Sequence, residues 1–199
     1  MTTSPTAPTS LRERKKAQTR RTIQEVALRL FLENGYDGTT VEQIAAEAGV
    51  SHMTFFRHFP TKEAVVESDD YDPMIVDLIG SRPPHEDCLT ALHHALGEGL
   101  RAVYAADGEA LLTRTRLVLT TPALRARVWE NQYATQQLFA DALGGRRRGQ
   151  SDLAVRVLAG AALAALTTAL TLWVESEGAR ELPDLVDQAF LALRDPDGN

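Results

Sequence analysis

The sequence predicts an all-α chain of about nine helices, a short three-helix head followed by a longer helical body. Three observations predict it. Apolar residues recur every three to four positions through most of the 199 residues, the period of a helix face. No stretch alternates apolar and polar residues as a half-buried strand would. The segment Thr40–Phe59, TVEQIAAEAGVSHMTFFRHF, carries the punctuation of two short helices joined by a tight turn.

Residues 1–10, MTTSPTAPTS, are rich in Thr, Ser and Pro and are expected to be disordered. They lack the apolar core of a secretory signal. Leu11–Arg21 carries Arg12, Arg14, Lys15, Lys16, Arg20 and Arg21. It leads into a helix whose inward residues are Ile23, Val26, Ala27, Leu30 and Phe31, ending at Asn34–Gly35. Such a basic run suits phosphates or a minor groove. Thr40 followed by Gln43 fits a capping box, so the next helix starts there. Val41, Ile44, Ala45 and Ala48 form its apolar stripe, and Gly49 sits where a left-handed residue ends a helix. Ser51 caps the following one. On it Phe55 and Phe59 face inward, while Met53, Phe56 and Arg57 share another face with His52 beside them. A short helix pinned by two aromatics, with a polar and cationic outer face, is shaped to enter a major groove. Pro60–Thr61 is expected to open a fourth helix, placing Lys62 at its N-terminus, where a phosphate would be welcome. Asp69, Asp70 and Asp72 around Tyr71, with Pro73, are expected to break or kink that helix before it resumes at Met74–Ile79. These acids read as a solvated bend rather than a metal site.

Pro83–Pro84 marks a boundary. From His85 to Ala106, Leu89, Leu92, Leu96, Leu100 and Val103 form a helical stripe that includes His93, which is expected to line a core or cavity. His85, Cys88 and His93 lack a compact zinc-ligand spacing. Glu109–Leu119 reads as a helix carrying Arg114 and Arg116. A long helix from Thr121–Pro122 to Leu143 places Trp129 and Tyr133 one turn apart. GGRRRGQ, residues 144–150, reads as a mobile solvated loop, and Ser151 as the cap of a very apolar helix, Leu153–Val174. Its uncharged part, Val157–Val174, is eighteen residues long, at the threshold for a membrane span. It is rich in Ala and Thr, however, and a helix apolar all round otherwise belongs in a core or an interface. Small residues Ala161, Ala165 and Ala169 allow close approach of a neighbour. The last helix, Pro183–Leu193, carries Leu185, Val186, Ala189, Phe190 and Leu193 on one side.

The net charge of −6 conceals a polarity. Residues 1–62 hold nine Lys/Arg and six Asp/Glu, a balance of +3; the remainder holds twelve and twenty-one, a balance of −9. A basic head on an acidic body presents one end to DNA. The single cysteine, Cys88, excludes an internal disulfide and suits a reducing cytoplasm. No nucleophile–base pair, metal cluster or phosphate loop stands out, so neither enzymatic activity nor a cofactor is expected.

The residues from Ile23 to Val66, among them Phe31, Gly35, Thr40, Ile44–Ala45, Ala48–Gly49–Val50–Ser51, Thr54, Phe59 and Lys62–Glu63, resemble the DNA-binding region of TetR-family transcriptional regulators. One departure is Phe56, where the family more often has Tyr. TPALRAR, residues 121–127, resembles the C-terminal domain of the subgroup that includes the mycofactocin-system regulator. The resemblance implies a helix-turn-helix domain over 11–62, with the motif at 40–59, and an effector-binding and dimerisation domain over 63–199. It implies DNA contacts from Thr40, Ser51, His52, Met53, Thr54, Phe56, Arg57, His58 and Lys62. It implies a homodimer built on the last two helices, seated on a palindromic double-stranded operator. A small-molecule effector would enter a cavity whose candidate residues are His93, Arg114, Arg116, Trp129, Tyr133, Thr167 and Thr171. Arg114 and Arg116 point to an acidic effector, such as the acyl thioester of the resembled subgroup. Release from DNA on effector binding would make the protein a cytoplasmic repressor. An activator of the same fold is the alternative, and a helical small-molecule-binding or membrane-associated protein without DNA binding is the alternative of another class.

Overall fold

The computed structural model describes residues 10–66, 71–144 and 152–195. The expectations for the tail before Ser10, for Asp69 and Asp70, for the 145–150 loop and for the Ser151 cap lie outside these residues. The described residues form eight α-helices and one 3-10 turn, arranged in two units, Met1–Glu67 and Ser68–Asn199.

The first unit holds α1 (Leu11–Asn34), α2 (Val41–Glu47), α3 (His52–His58) and the 3-10 turn Glu63–Val65. The basic run is itself the first turns of α1. Ser10 and Glu13 close a reciprocal capping box there: Ser10 Oγ accepts from the Glu13 amide at 3.2 Å, and Glu13 Oε2 accepts from the Ser10 amide at 2.7 Å. Local caps of this kind contribute about 1 kcal/mol each. Ile23, Ala27, Leu30 and Phe31 supply the buried stripe. The chain leaves α1 through Gly35 at φ +77°, a left-handed conformation that suits glycine. Thr39 is buried, and its hydroxyl is shared between the carbonyls of Leu30 (3.1 Å) and Gly35 (2.9 Å). This satisfies the buried hydroxyl and a helix-end carbonyl at once.

The fourth helix is not where the sequence placed it. Thr61 Oγ1 caps Ala64 N at 3.2 Å, but the chain makes only a 3-10 turn at Glu63–Val65. Burial explains this: Ala64, Val65 and Val66 are all covered, and the turn is held to α1 by Gln24 Nε2 donating to the Val65 carbonyl at 3.4 Å. Tyr36 also donates to the Glu63 carboxylate. The turn belongs to the first unit. The next helix, α4, runs unbroken from Tyr71 to Ser81. Pro73 lies in its first turn, where no intrahelical N–H bond is lost, so it does not kink the helix.

The second unit holds α4, α5 (Cys88–Thr120), α6 (Pro122–Gly144), α7 (Asp152–Glu175) and α8 (Leu182–Arg194). α5 is interrupted at Asp107, whose backbone is extended (φ −164°, ψ 82°). Asp107 Oδ1 accepts from the Ala110 amide at 3.0 Å, so the same residue breaks one helical segment and caps the next. Counting both segments of α5 restores the nine helices read from the sequence. The core gathers Ile79, Leu92, Phe139, Leu143, Trp173, Val186 and Phe190 around the small buried face of α7, Ala159, Ala162, Ala165 and Ala169. Small residues there let α5, α6 and α8 approach α7 closely. α7 is the one described helix long and apolar enough to cross a membrane, and 33% of its most apolar window is buried within the chain.

Candidate functional site

The α2–α3 pair is fixed by its caps. Thr40 Oγ1 accepts from Gln43 N at 3.2 Å and Gln43 Oε1 from Thr40 N at 2.8 Å. Gly49 at φ +67° turns the chain, and Val50 N reaches back to the Ala45 carbonyl at 2.9 Å. Ser51 Oγ then caps α3 through Thr54 N at 3.1 Å and lies 2.9 Å from Thr54 Oγ1. Phe55 and Phe59 are fully buried, their ring centroids 5.9 Å apart. This fixes which side of α3 faces out.

On that outer side Met53 is 78% and Phe56 40% exposed, and Ser51, His52 and Arg57 are exposed with them. His52 Nε2 lies 3.2 Å from Glu42 Oε1 on α2, and its ring meets the Phe56 ring edge-on at 4.7 Å. Thr40 is exposed at the start of α2, while Thr54 and His58 are half-buried. Six of the nine residues singled out are thus exposed on or beside α2 and α3, and Thr54 and His58 are half-buried among them.

Lys62 does not present its ammonium as a helix-terminal phosphate hook. Nζ donates to the carbonyls of Tyr36 (2.8 Å) and Thr39 (3.1 Å) and lies over the Tyr36 ring. No α-helix begins at Thr61, and two carbonyls left over from the α1–α2 connection attract the cation instead. A residue of the basic run is also more than a surface charge. Arg20 Nη1 donates to the His58 carbonyl at 2.9 Å, and its guanidinium lies 4.3 Å over the Phe59 ring. His58 is held below the ordinary histidine range, first by burial and then by the positive charges of Arg57, Lys16 and Arg20.

In the second unit a cavity of about 220 Å³ lies among α4, α5, α6 and α7. Its wall is mostly hydrocarbon, with Leu100, Val103, Phe139, Leu163, Leu166 and Leu170 prominent, and its polar groups are Asp72, Arg114, Thr115 and Thr135. Thr135 donates to Asp72 Oδ2 at 2.9 Å, joining α6 to the first turn of α4. Thr115 turns its hydroxyl back to the Leu111 carbonyl at 2.8 Å.

Of the seven cavity candidates only Arg114 lines it. His93 instead joins α5 to α8: Nε2 is 2.6 Å from Asp187 Oδ1, and the ring stacks on Phe190 at 4.6 Å with planes 7° apart. Arg116 is exposed, because it follows Arg114 by two residues and so points to another side of the helix. Trp129 and Tyr133, 64% and 66% exposed, lie on the outer face of α6. Thr167 and Thr171 return their hydroxyls to carbonyls one turn earlier on α7. Asp72, Thr115 and Thr135 were missed. Gly99 held a usable signal: a Cβ there would come within 2.4 Å of Ile75 Cδ1, so a glycine inside a helical stripe marks where α4 crowds α5.

Comparison with known proteins agrees with both units. The family described as bacterial regulatory proteins, tetR family, matches residues 23–68, and the MftR C-terminal domain family matches residues 86–197. The transcriptional regulator TcmR of Streptomyces glaucescens is 38% identical over 130 residues, spanning 62% of this chain and only 57% of its own length. The mycofactocin biosynthesis regulator MftR of Mycobacterium tuberculosis is 26% identical over 181 residues, 89% of this chain and 90% of its own. Among solved structures, the fatty acid degradation regulator FadR of Bacillus halodurans superposes with a TM-score of 0.58 at 24% identity, covering 96% of both chains. FadR of Thermus thermophilus, a repressor in complex with lauroyl-CoA, gives 0.54 at 23% identity, covering 90% of this chain and 94% of that one. FadR of Bacillus subtilis, in complex with stearoyl-CoA, gives 0.56 at 19% identity, covering 90% and 98%.

Proposed function

Since the chain belongs to the TetR family of bacterial regulatory proteins, with a C-terminal domain of the MftR type, and is a DNA-binding transcriptional regulator, we propose that it is a homodimeric cytoplasmic repressor. It binds a palindromic operator and leaves it when an acidic, largely hydrocarbon effector fills the C-terminal cavity. The observation that carries the DNA half is the outer face of α3, where Met53 and Arg57 stand free while Phe55 and Phe59 anchor the helix. His52, Met53, Thr54 and Arg57 approach base edges: Arg57 is suited to a bidentate bond with guanine and Met53 to a thymine methyl. Thr40, Ser51, Phe56 and His58 set position on the backbone, Phe56 without a hydroxyl to offer. Lys62 holds the fold in place behind them.

The dimer forms through α7 and α8. Val157 (59%), Leu172 (39%) and Leu191 (57%) remain exposed on these helices, and a second copy would cover them in an isologous four-helix seam. Two α3 helices about 34–36 Å apart, or a multiple of that, then enter successive major grooves.

The effector reading rests on the cavity. Its hydrocarbon wall favours an acyl chain or fused rings, and Arg114 gives an acid group its partner. Acyl thioesters fit that description, as in the two FadR complexes. At about 220 Å³ the space is below the usual ligand cleft of about 300–1,000 Å³, so it takes the hydrocarbon portion of an effector rather than a whole acyl-CoA.

Selection of duplexes from a random library, followed by displacement with acyl-CoAs of graded length, tests the reading. A palindromic consensus released by acyl-CoA supports it. An enriched palindrome that only cationic or neutral compounds release would overturn the effector assignment. No enrichment at all would overturn the DNA reading.

A further inference from the structure

We infer that the opening turns of α1 are a helical overhang that lies against the DNA backbone through Arg12 and Lys16, with Lys15 at its flank, and that it adds affinity without regard to base sequence. The inference rests on the DNA-binding reading above and adds a second contact surface to it, on a helix that carries none of the base-reading residues.

The overhang is ordered helix. Ser10 and Glu13 cap it reciprocally, so the Glu13 carboxylate is engaged at the helix start. The eight residues Leu11–Gln18 are all exposed, and half-buried positions begin at Thr19. At 1.5 Å per residue this stretch is about 12 Å long. A helical stretch that buries nothing draws no stability from packing. Its chemical content is charge, Arg12, Arg14, Lys15 and Lys16 against Glu13.

The helix period decides where those charges point. Arg12, Lys16, Arg20, Ile23, Ala27 and Leu30 follow one another at steps of three or four residues, so they share one side of α1. In its later turns that side is the buried one, with Ile23, Ala27 and Leu30 covered. Arg20 marks the change of chemistry: Nη1 donates to the His58 carbonyl at 2.9 Å, and the guanidinium lies over the ring of Phe59 on the buried side of α3. α1 therefore stands behind α3, whose Met53 and Arg57 face the opposite way, outward. Seen from the groove, α3 screens α1 as far as Arg20. Lys16 and Arg12, one and two turns earlier on the same line, are exposed, and there the side that was turned to α3 is turned to whatever α3 lies against. Cations about 6 Å apart along a helix suit phosphates, which position a protein and carry no base sequence. Arg14 and Arg21 lie on the other side of the helix.

The test uses the full chain, the duplex enriched from the random library and a mixed-sequence 30-base-pair duplex, in anisotropy titrations between 0.1 and 1 M salt. In R12Q/K16Q the slope of log affinity against log salt is expected to fall by about 0.9 for each cation that loses a phosphate. The deficit should be equal on both duplexes and should grow about eightfold per contact between 1 M and 0.1 M salt. R12K/K16R, which keeps the charges, should behave as the wild type. R14Q/R21Q removes the same charge from the opposite side and should change the slope by less than half as much. Equal effects of the two Gln pairs would overturn the assignment to one face, leaving only the net charge of the head. A wild-type slope in R12Q/K16Q would overturn the contact itself, and a change confined to self-association in sedimentation would hand the stripe to a protein neighbour. Both outcomes leave the reading by α3 intact. A wild type that binds neither duplex loses that reading as well.

Discussion

The Lys62 ammonium lies 4.0 Å from the centre of the Tyr36 ring and donates to the carbonyl of that same residue at 2.8 Å. One side chain thus ties the segment after α3 to the connection before α2, with the Thr39 carbonyl as a second acceptor. Hydrogen bonds to a charged group contribute about 1.5–3 kcal/mol. K62M should therefore destabilise the head by roughly that amount in denaturant titration, while the salt slope of DNA binding at low temperature stays at the wild-type value. A flattened slope with unchanged stability would return Lys62 to the phosphates.

Arg57 is the exposed cation of α3 best placed for a base edge. R57A should relax preference at one base pair of each half-site, at a cost of about 1–3 kcal/mol. Competition among single-base operator variants measures this. Equal weakening on every variant would move Arg57 to the backbone.

Phe56 is 40% exposed beside His52, where a phenolic hydroxyl would face outward. F56Y should tighten binding to all duplexes alike, by about 1 kcal/mol for one added hydrogen bond. Anisotropy titrations on specific and scrambled duplexes check both the gain and its indifference to sequence.

Leu166 lies on the α7 wall of the cavity. L166W should occupy the space that an effector needs. The variant is expected to bind DNA as the wild type does and to stay bound at effector concentrations that release the wild type. Calorimetry with the effector should show at least a tenfold loss of affinity, about 1.4 kcal/mol.

Arg82 grips Glu86 with two bonds, Nε to Oε2 at 3.0 Å and Nη2 to Oε1 at 2.6 Å. The guanidinium, followed by His94, holds the Glu86 carboxyl down to about 2 from an ordinary 4.5. Its folded-state value is depressed, so the stability it adds is complete above about 4.5 and is lost as pH falls towards 2. E86Q lacks this contribution. Thermal unfolding midpoints of wild type and E86Q should differ at pH 7, and the gap should shrink progressively as pH falls from about 4.5 towards about 2; a constant gap would mean that the ion pair adds nothing.

The head was legible because its signals are local. Thr40 with Gln43, Gly49 and Ser51 each act within one turn, and the structure places all of them where their chemistry requires. The bonds that Lys62 makes within the head were not legible, because its acceptors, Tyr36 and Thr39, lie more than twenty residues earlier and no local pattern announces them. The cavity was less legible still. Periodicity assigns Trp129 and Tyr133 to a common side of α6 but cannot say which side meets the core. His93 was read as a core or cavity residue on the same evidence, and it stacks on Phe190 away from the cavity. Asp72 escaped notice because it was grouped with a solvated bend, whereas Pro73 is accommodated in the first turn of α4 and brings Asp72 within reach of Thr135.

α4 is fastened at both of its ends. At one, Arg82, immediately after the helix, is tied to Glu86 and, at 3.7 Å, to Glu98. At the other, the Thr135 hydroxyl donates to Asp72 beside the cavity. The bond that joins the opening turn of α4 to α6 is thus part of the cavity wall itself, so a polar group brought into that space competes directly for a structural contact.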